Sequence, residues 1–307
     1  MRPHLNLSLV LLGLTASHLL AQAPILRDNR VLRSGIEVVT VTATVRDSQG
    51  RLVTGLGQDA FDVYEDGVPQ KITQFTSERV PISLGVLLDT SDSMFGRRII
   101  EARASIEHFL FDLLDKSDEY CVFSFNHEPH VMTGWTSTPD VMRRALDGLR
   151  PWGGTAVYDA VVASLPMIAR RSRERGALLI ISDGADTASD TSLRSVRTSL
   201  LRSDAFVYAI AIDAPERRPI NAGVNPTALR GITDDSGGRT EIVQTTADLG
   251  AAAARIAEEL NNQYLLGYTS PRGADGHYHS IRVRARSADY NVRARNGYVA
   301  SPVVAGR

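Results

Sequence analysis

Ile82-Ser83-Leu84-Gly85-Val86-Leu87-Leu88-Asp89-Thr90-Ser91-Asp92-Ser93 decides how this chain is read. Residues 82–88 form an apolar run of strand length, with no period-2 alternation. That pattern belongs to a strand buried on both faces, as in a parallel sheet covered by helices. Immediately after it come a carboxylate and two hydroxyls at alternate positions, Asp89, Ser91 and Ser93. In an extended turn such positions share a face.

Two further signals lie downstream. Gly153-Gly154-Thr155 opens a helical pattern, and Ser182-Asp183-Gly184 closes a second apolar run, Ala177–Ile181. Strand patterns at 82–88, 120–125, 130–135, 177–181, 205–212 and 240–243 alternate with helical patterns. The helical stretches fall at 98–114, 140–149, 156–171, 192–203, 226–234 and 247–262, with Asp140 the entry residue of the second. The alternation predicts a doubly wound, mainly parallel sheet. The 130–135 strand follows 120–125 after too short a turn for a crossover, so it is expected as an antiparallel edge. In such sheets ligands bind beyond the carboxyl ends of the strands, where Asp89, Thr155 and Asp183 all fall.

Outside this block the text is β. Glu37–Val45 alternates, as does Phe61–Tyr64. Glu65-Asp66-Gly67 signals a hairpin, with Gln70–Phe75 as the return strand. After Asn262, strands are expected at 264–268, 278–286 and 290–298. Each end has few strands to stand alone. The expectation is therefore an α/β domain, 81–262, inserted in a small β-sandwich-like domain built from segments 24–80 and 263–307.

Residues 1–23 have the form of a secretory signal peptide: Arg2, an apolar Leu5–Leu14 and Ala21-Gln22-Ala23. The apolar part is shorter than the roughly 20 residues of a spanning helix. No later segment is apolar enough to span a membrane, which predicts a secreted, periplasmic or cell-envelope protein. The 307-residue chain is 43% hydrophobic and 22% charged with a formal net charge of -1, so charge balance gives no case for nucleic acid. Cys121 is the single cysteine, which excludes an intrachain disulfide and reads as a core thiol.

Asp89, Ser91, Ser93, Thr155 and Asp183 together make an all-oxygen donor set with little charge. A small hard cation such as Mg²⁺ takes six oxygens and keeps part of its shell open. Serine, aspartate and glycine after strands are ordinary loop residues, so one element alone carries little; the set in this strand context is specific.

These residues resemble the metal-ion-dependent adhesion site of von Willebrand factor A domains: Asp89-Thr90-Ser91-Asp92-Ser93, Gly153-Gly154-Thr155 and Ser182-Asp183-Gly184. The resemblance covers residues 80–262. It implies Asp89, Ser91, Ser93, Thr155 and Asp183 as the metal positions, Mg²⁺ as the ion with Mn²⁺ or Ca²⁺ as alternatives, and a protein partner supplying a Glu or Asp carboxylate. The flanks Asp59–Gly67, Leu266-Gly267-Tyr268 and Arg293–Tyr298 resemble the "VWFA-related" proteins of Acidobacteria.

Catalysis has weaker support. A metal-dependent hydrolase would have to use Asp89 and Asp183. A phosphatase of the haloacid-dehalogenase type would show Asp-x-Asp, but position 91 is serine. Neither Gly-x-Ser-x-Gly nor His-Glu-x-x-His occurs. His127-Glu128-Pro129-His130 has no third ligand and is broken by Pro129. His277 and His279 alternate as ordinary strand positions do. Arg97-Arg98 either meets an acidic partner or is a solvated helix start. Asp186 orients a water or a loop amide, or lies in solvent. Asp235-Ser236-Gly237-Gly238 lacks the lysine of a phosphate loop. The expected function is an exported, non-enzymatic protein-binding module.

Overall fold

The computed structural model describes residues 37–183, 185–213 and 225–300. The signal-peptide stretch 1–23 lies outside them. The chain opens with β1 (Glu37–Asp47), β2 (Phe61–Glu65), β3 (Val68–Gln70) and β4 (Ile72–Thr76). Then follow β5 (Ile82–Asp89), α1 (Arg97–His108), β6 (Glu119–Phe125), β7 (Pro129–Val131), α2 (Pro139–Asp147), α3 (Val157–Ala169) and β8 (Arg175–Ser182). After these come α4 (Leu193–Leu201), β9 (Phe206–Ile212), α5 (Pro226–Ser236), β10 (Thr240–Val243) and α6 (Leu249–Asn261). The described chain closes with β11 (Tyr264–Ser270), β12 (Tyr278–Ala285), β13 (Tyr290–Ala294) and β14 (Gly297–Val299).

The six-stranded sheet has the order β10-β9-β8-β5-β6-β7, all parallel except the edge strand β7. Every residue of β5, β6, β8 and β9 is buried, which is why these strands read as unbroken apolar runs. Even and odd positions of β5 feed different cores. Leu84, Val86 and Leu88 pack with α1 and α6, whereas Leu87 packs with α3 and α4. Cys121 is buried in the second core, and burial pushes its thiol up.

Helix boundaries follow local chemistry. Thr138 precedes Pro139 at the first turn of α2, so Pro139, not Asp140, enters the helix. Ser192 caps α4 by accepting from Ser195 N at 3.2 Å. The Asp235–Gly238 stretch is a helix end: Gly237 closes α5 in the left-handed region at φ 88°, and a Cβ on Gly238 would lie 1.8 Å from Val207 O.

Strands from both chain ends interleave in two four-stranded sheets, β13-β1-β11-β4 and β14-β12-β2-β3. Their shared core holds Val41, Val45, Phe61 and Val63 from one end and Tyr264, Leu266 and Tyr268 from the other. Asp66 and Gly67, both at positive φ, make the two-residue β2–β3 turn. Two expected strands break into pairs that change sheet. Residues 70–75 are not one return strand: β3 pairs with β2, while β4 crosses to β11. Likewise 290–298 divides into β13, on β1, and β14, on β12. Both changes happen at sandwich corners, where the register with a distant strand decides.

His279 is no ordinary strand position. It is buried, with Nδ1 2.8 Å from Asp66 Oδ2 and Nε2 3.1 Å from Asp275 Oδ1. Burial opposes its charge, but the two carboxylates outweigh burial and raise its pKa above 6.5. The imidazolium therefore stabilises the fold fully below the ordinary histidine value, and that stabilisation fades as pH climbs through the raised folded value. Denaturant midpoints are expected to fall across that rise in the parent and to lose this component in His279→Gln. An identical pH profile in both would remove the charged pair from the account.

The linker into β5 is tied down. Asp118 binds Arg79 and accepts from Ile82 N at 2.9 Å, and Arg79 Nε donates to Asn261 at 2.8 Å. The sandwich thus joins at the amino ends of the parallel strands. β5, eight residues long, carries the chain about 26 Å from there to its carboxyl end.

Candidate metal centre

The carboxyl ends of β5 and β8 lie side by side, with Leu88 paired to Ile181. The chain leaves β5 toward β6 on one side and returns as β8 on the other, which opens a crevice at this edge. Asp89 is fully buried at the end of β5. Its Oδ1 accepts from Ser91 N at 2.8 Å and its Oδ2 from Ser182 Oγ at 2.5 Å. Ser91 Oγ lies 3.0 Å from Ser93 Oγ, and Ser93 Oγ donates to Asp183 Oδ1 at 2.6 Å. Ser91 and Asp183 are buried, and Ser93 faces solvent. Asp89, Ser91, Ser93 and Asp183 are thus bridged by hydrogen bonds into one cluster.

Thr155 stands on the adjoining loop, buried, and shares no hydrogen bond with those four. Its loop is laced to theirs, however. Asp92 N donates to Gly153 O at 3.0 Å and Trp152 N to Thr90 O at 2.8 Å. Thr187 and Ala188 donate their amides to Thr155 O at 2.8 and 3.1 Å. The third loop therefore holds the second.

The electrostatics are those of two converging carboxylates. Burial, with the charge of Asp183 behind it, pushes the Asp89 carboxyl up to about 7. Arg98, on the first turn of α1, binds Asp183 Oδ2 and donates to Ser93 O at 3.2 Å. Arg98 is therefore not a solvated helix start: its carboxylate is Asp183 of the same chain. Ser182 and Arg98 are the residues sequence reasoning missed here. Ser182 was within reach of it, as the last residue of a buried strand beside Asp183.

The other polar candidates resolve into support. Asp186 Oδ2 accepts from Tyr158 N at 2.9 Å, so it orients an amide at the start of α3. Asp92 is exposed. His127 and His130 flank Glu128 on the exposed β6–β7 hairpin, and the His127 ring packs 4.4 Å from that of Trp152. Among the described residues no group of three or more His, Cys, Asp or Glu side chains is placed to hold a metal. Hydroxyl oxygens would therefore have to complete any site here. Two apolar side chains stand proud at the rim: Phe95 is 76% exposed and Trp152 53%.

Residues 84–185 match the family model of the von Willebrand factor type A domain. The chain is 20% identical over 202 residues to human inter-alpha-trypsin inhibitor heavy chain H4, across 62% of its own length and 21% of that protein. It thus spans about a fifth of the curated relative it matches. Among solved structures, a von Willebrand factor type A protein from Catenulispora acidiphila aligns with TM-score 0.52 at 11% identity, covering 87% of this chain and 74% of that one. The vWF domain of the type V pili tip protein Mfa5 from Porphyromonas gingivalis aligns with TM-score 0.50 at 14% identity, over 60% of this chain and 96% of that one. The six-stranded unit has the von Willebrand factor A-type fold, and the first of these likenesses extends beyond it.

Proposed function

We propose that this chain is an exported, non-catalytic binding module. In this reading Asp89, Ser91, Ser93, Thr155 and Asp183 hold a divalent cation, Mg²⁺ first and Mn²⁺ or Ca²⁺ as alternatives. A glutamate or aspartate of a partner protein completes the ion's coordination. The observation that carries the reading is the hydrogen-bonded cluster itself. It gathers two carboxylates and two hydroxyls from loops 90 residues apart in sequence, and one of those carboxyls is displaced to about 7. A cation between Asp89 and Asp183 would offset the burial, and the lesser repulsion from Asp183, that raise Asp89.

Charge balance supports an acidic ligand. Two aspartates, the Arg98 guanidinium and a divalent ion leave one unit of positive charge at the cluster. An incoming carboxylate supplies the missing charge and an oxygen together. Phe95 and Trp152 fit the same reading, because exposed aromatics around a polar centre are the usual anchors of a protein interface. Asp89 is fully buried with both oxygens bonded, which suits a cation ligand better than the nucleophile of a hydrolase. Residues 1–23 would place the module in the periplasm or outside the cell, and an adhesive role agrees with a pilus-tip protein having this fold.

Capture of envelope proteins on the immobilised full chain tests the proposal. Specific partners are expected to bind in Mg²⁺, to be released by EDTA and to return when Mg²⁺ is restored. They should be lost in the double variant Ser91→Ala with Ser93→Ala. Capture that ignores both chelator and the double variant would move recognition away from this edge of the sheet.

A further inference from the structure

The first half of β1 has an open edge. β1 pairs with β11 over Glu37–Ala43, but with β13 only over Ala43–Asp47. Among the described residues, Val38–Thr42 therefore have a strand on one side alone. Successive residues of a strand direct their N–H and C=O groups to opposite sides, so part of this backbone is left without a ladder partner. β13 does not extend to cover it. After Ala294 the chain turns away: Asn296 N donates to Asp235 O at 3.2 Å, and β14 joins the other sheet.

Across from this edge stands α3, whose outer face is apolar. Its inner face, with Ala160, Val161, Ser164 and Ile168, is buried in the core. The adjoining stripe reads Val162, Leu165, Pro166 and Ala169, spaced i, i+3, i+4, i+7; Val162 and Leu165 are half-buried against the core, and Pro166 and Ala169 are exposed. A surface helix normally places polar residues there. Between this stripe and the β1 edge lies a cleft of about 630 Å³, lined also by Val38 and Arg295. That volume lies within the usual range for a ligand cleft.

Arg295 gives the cleft its charge. Its guanidinium donates to three carbonyls, Gly297 O at 2.9 Å, Ser203 O at 3.1 Å and Leu201 O at 3.4 Å. It has no carboxylate partner among the described residues. Asp204, whose charge it feels, is held by Arg171 on both oxygens. A half-buried cation without an acidic partner, beside an open strand edge and an apolar wall, is a combination that an extended peptide can satisfy in one step.

We propose that the cleft takes an extended segment of a partner protein as an added strand on β1, aliphatic at alternate positions and carrying one acidic side chain set against Arg295. The added strand pairs with Val38–Thr42, its aliphatic side chains cover the Val162–Ala169 stripe, and its carboxylate neutralises Arg295. This interface lies at the sandwich end of the molecule. It is independent of the cluster at Asp89 and requires no cation.

The test uses the full chain in EDTA with a fluorescein-labelled, acetylated and amidated heptapeptide that alternates valine and threonine and has one aspartate. Saturable anisotropy is expected, with amide exchange slowed within residues 38–42. Leu165→Glu, and the exposed Ala169→Glu where the first disturbs folding, should each abolish binding. Arg295→Gln should weaken it about tenfold, the value of one charge-assisted hydrogen bond. Replacing the peptide's aspartate by asparagine should weaken it equally in the parent and have no further effect on Arg295→Gln. Four results would each overturn the proposal. One is absence of binding, or binding unchanged in the α3 variants. Another is exchange slowed elsewhere than residues 38–42. The third is free-protein exchange at 38–42 that is already slow and quickens on deleting residues 301–307, which would assign the edge to the chain's own tail. The last is slow exchange that quickens on dilution, which would assign it to a second copy.

Discussion

Asp89→Asn is expected to abolish the Mg²⁺-dependent rise in melting temperature and, in the same protein without metal, to increase stability at pH 8. The two effects have opposite signs and one cause. Asp89 is buried with its carboxyl pushed from 3.8 to about 7 by burial and by Asp183. Its folded-state pKa lies above its unfolded one, so between these values the folded chain keeps a proton that the unfolded chain has released. Stability of the metal-free protein therefore falls as pH rises from about 4 to about 7, by a total on the order of 4 kcal/mol. Asparagine keeps an acceptor for Ser91 N and carries no charge to bury, so about 2–4 kcal/mol should be regained above pH 7. A bound cation needs the charge that asparagine lacks. Calorimetric scans at pH 5 and pH 8, with EDTA and with Mg²⁺, separate the cases. An Asn variant that still gains stability from Mg²⁺ would place the ion elsewhere. One that is less stable than the parent in EDTA at pH 8 would mean that the hydrogen bonds of Asp89 outweigh its burial.

The sheet and the cluster were legible for physical reasons that did not extend to the rest. β5 is buried on both faces, and Asp89, Ser91 and Ser93 follow it within a few residues, so strand and donors share one short window of sequence. β7 was legible because a short turn forbids a parallel crossover, although its regular part ends at Val131, before the expected Trp135. The breaks at Lys71 and at Arg295-Asn296 were not legible. Whether a strand stays in its sheet depends on partners such as β11 and β12, some 200 residues away from β2 and β4. Arg98 was ambiguous because a charged residue at a helix start reads as solvated, and its partner Asp183 is 85 positions on. His279 looked ordinary for the same reason: Asp66 lies 213 positions away. Composition carries no trace of such pairs until the fold has brought them together.

The same reasoning gives Glu259→Gln the largest structural effect expected in the molecule. Glu259, on the last turn of α6, has a side chain with no solvent exposure and lies at the seam between the two parts of the fold. Arg46 of β1 donates to its Oε2 at 3.0 Å, Arg239 Nε lies 3.2 Å from the same oxygen, and Arg293 of β13 binds Oε1. Tyr208 of β9 donates its hydroxyl to Oε1 at 2.6 Å. One carboxylate therefore joins both chain-end segments to the parallel sheet. A glutamine of equal size keeps an oxygen for the Tyr208 hydroxyl but leaves three arginines around a neutral group. Arg239 would keep Glu241, 2.7 Å away, but removing one member of such a buried ionic group costs about 3–5 kcal/mol, because Arg46 and Arg293 lose their carboxylate at the seam. This seam lies at the amino ends of the strands, a strand length from Asp89, and effects at such separations add independently. In urea titrations Glu259→Gln should lose that stability while keeping the full Mg²⁺ increment of the parent. A loss below about 1 kcal/mol would show that the arginines reach solvent and that packing alone, through residues such as Tyr208 and Tyr264, holds the two parts together.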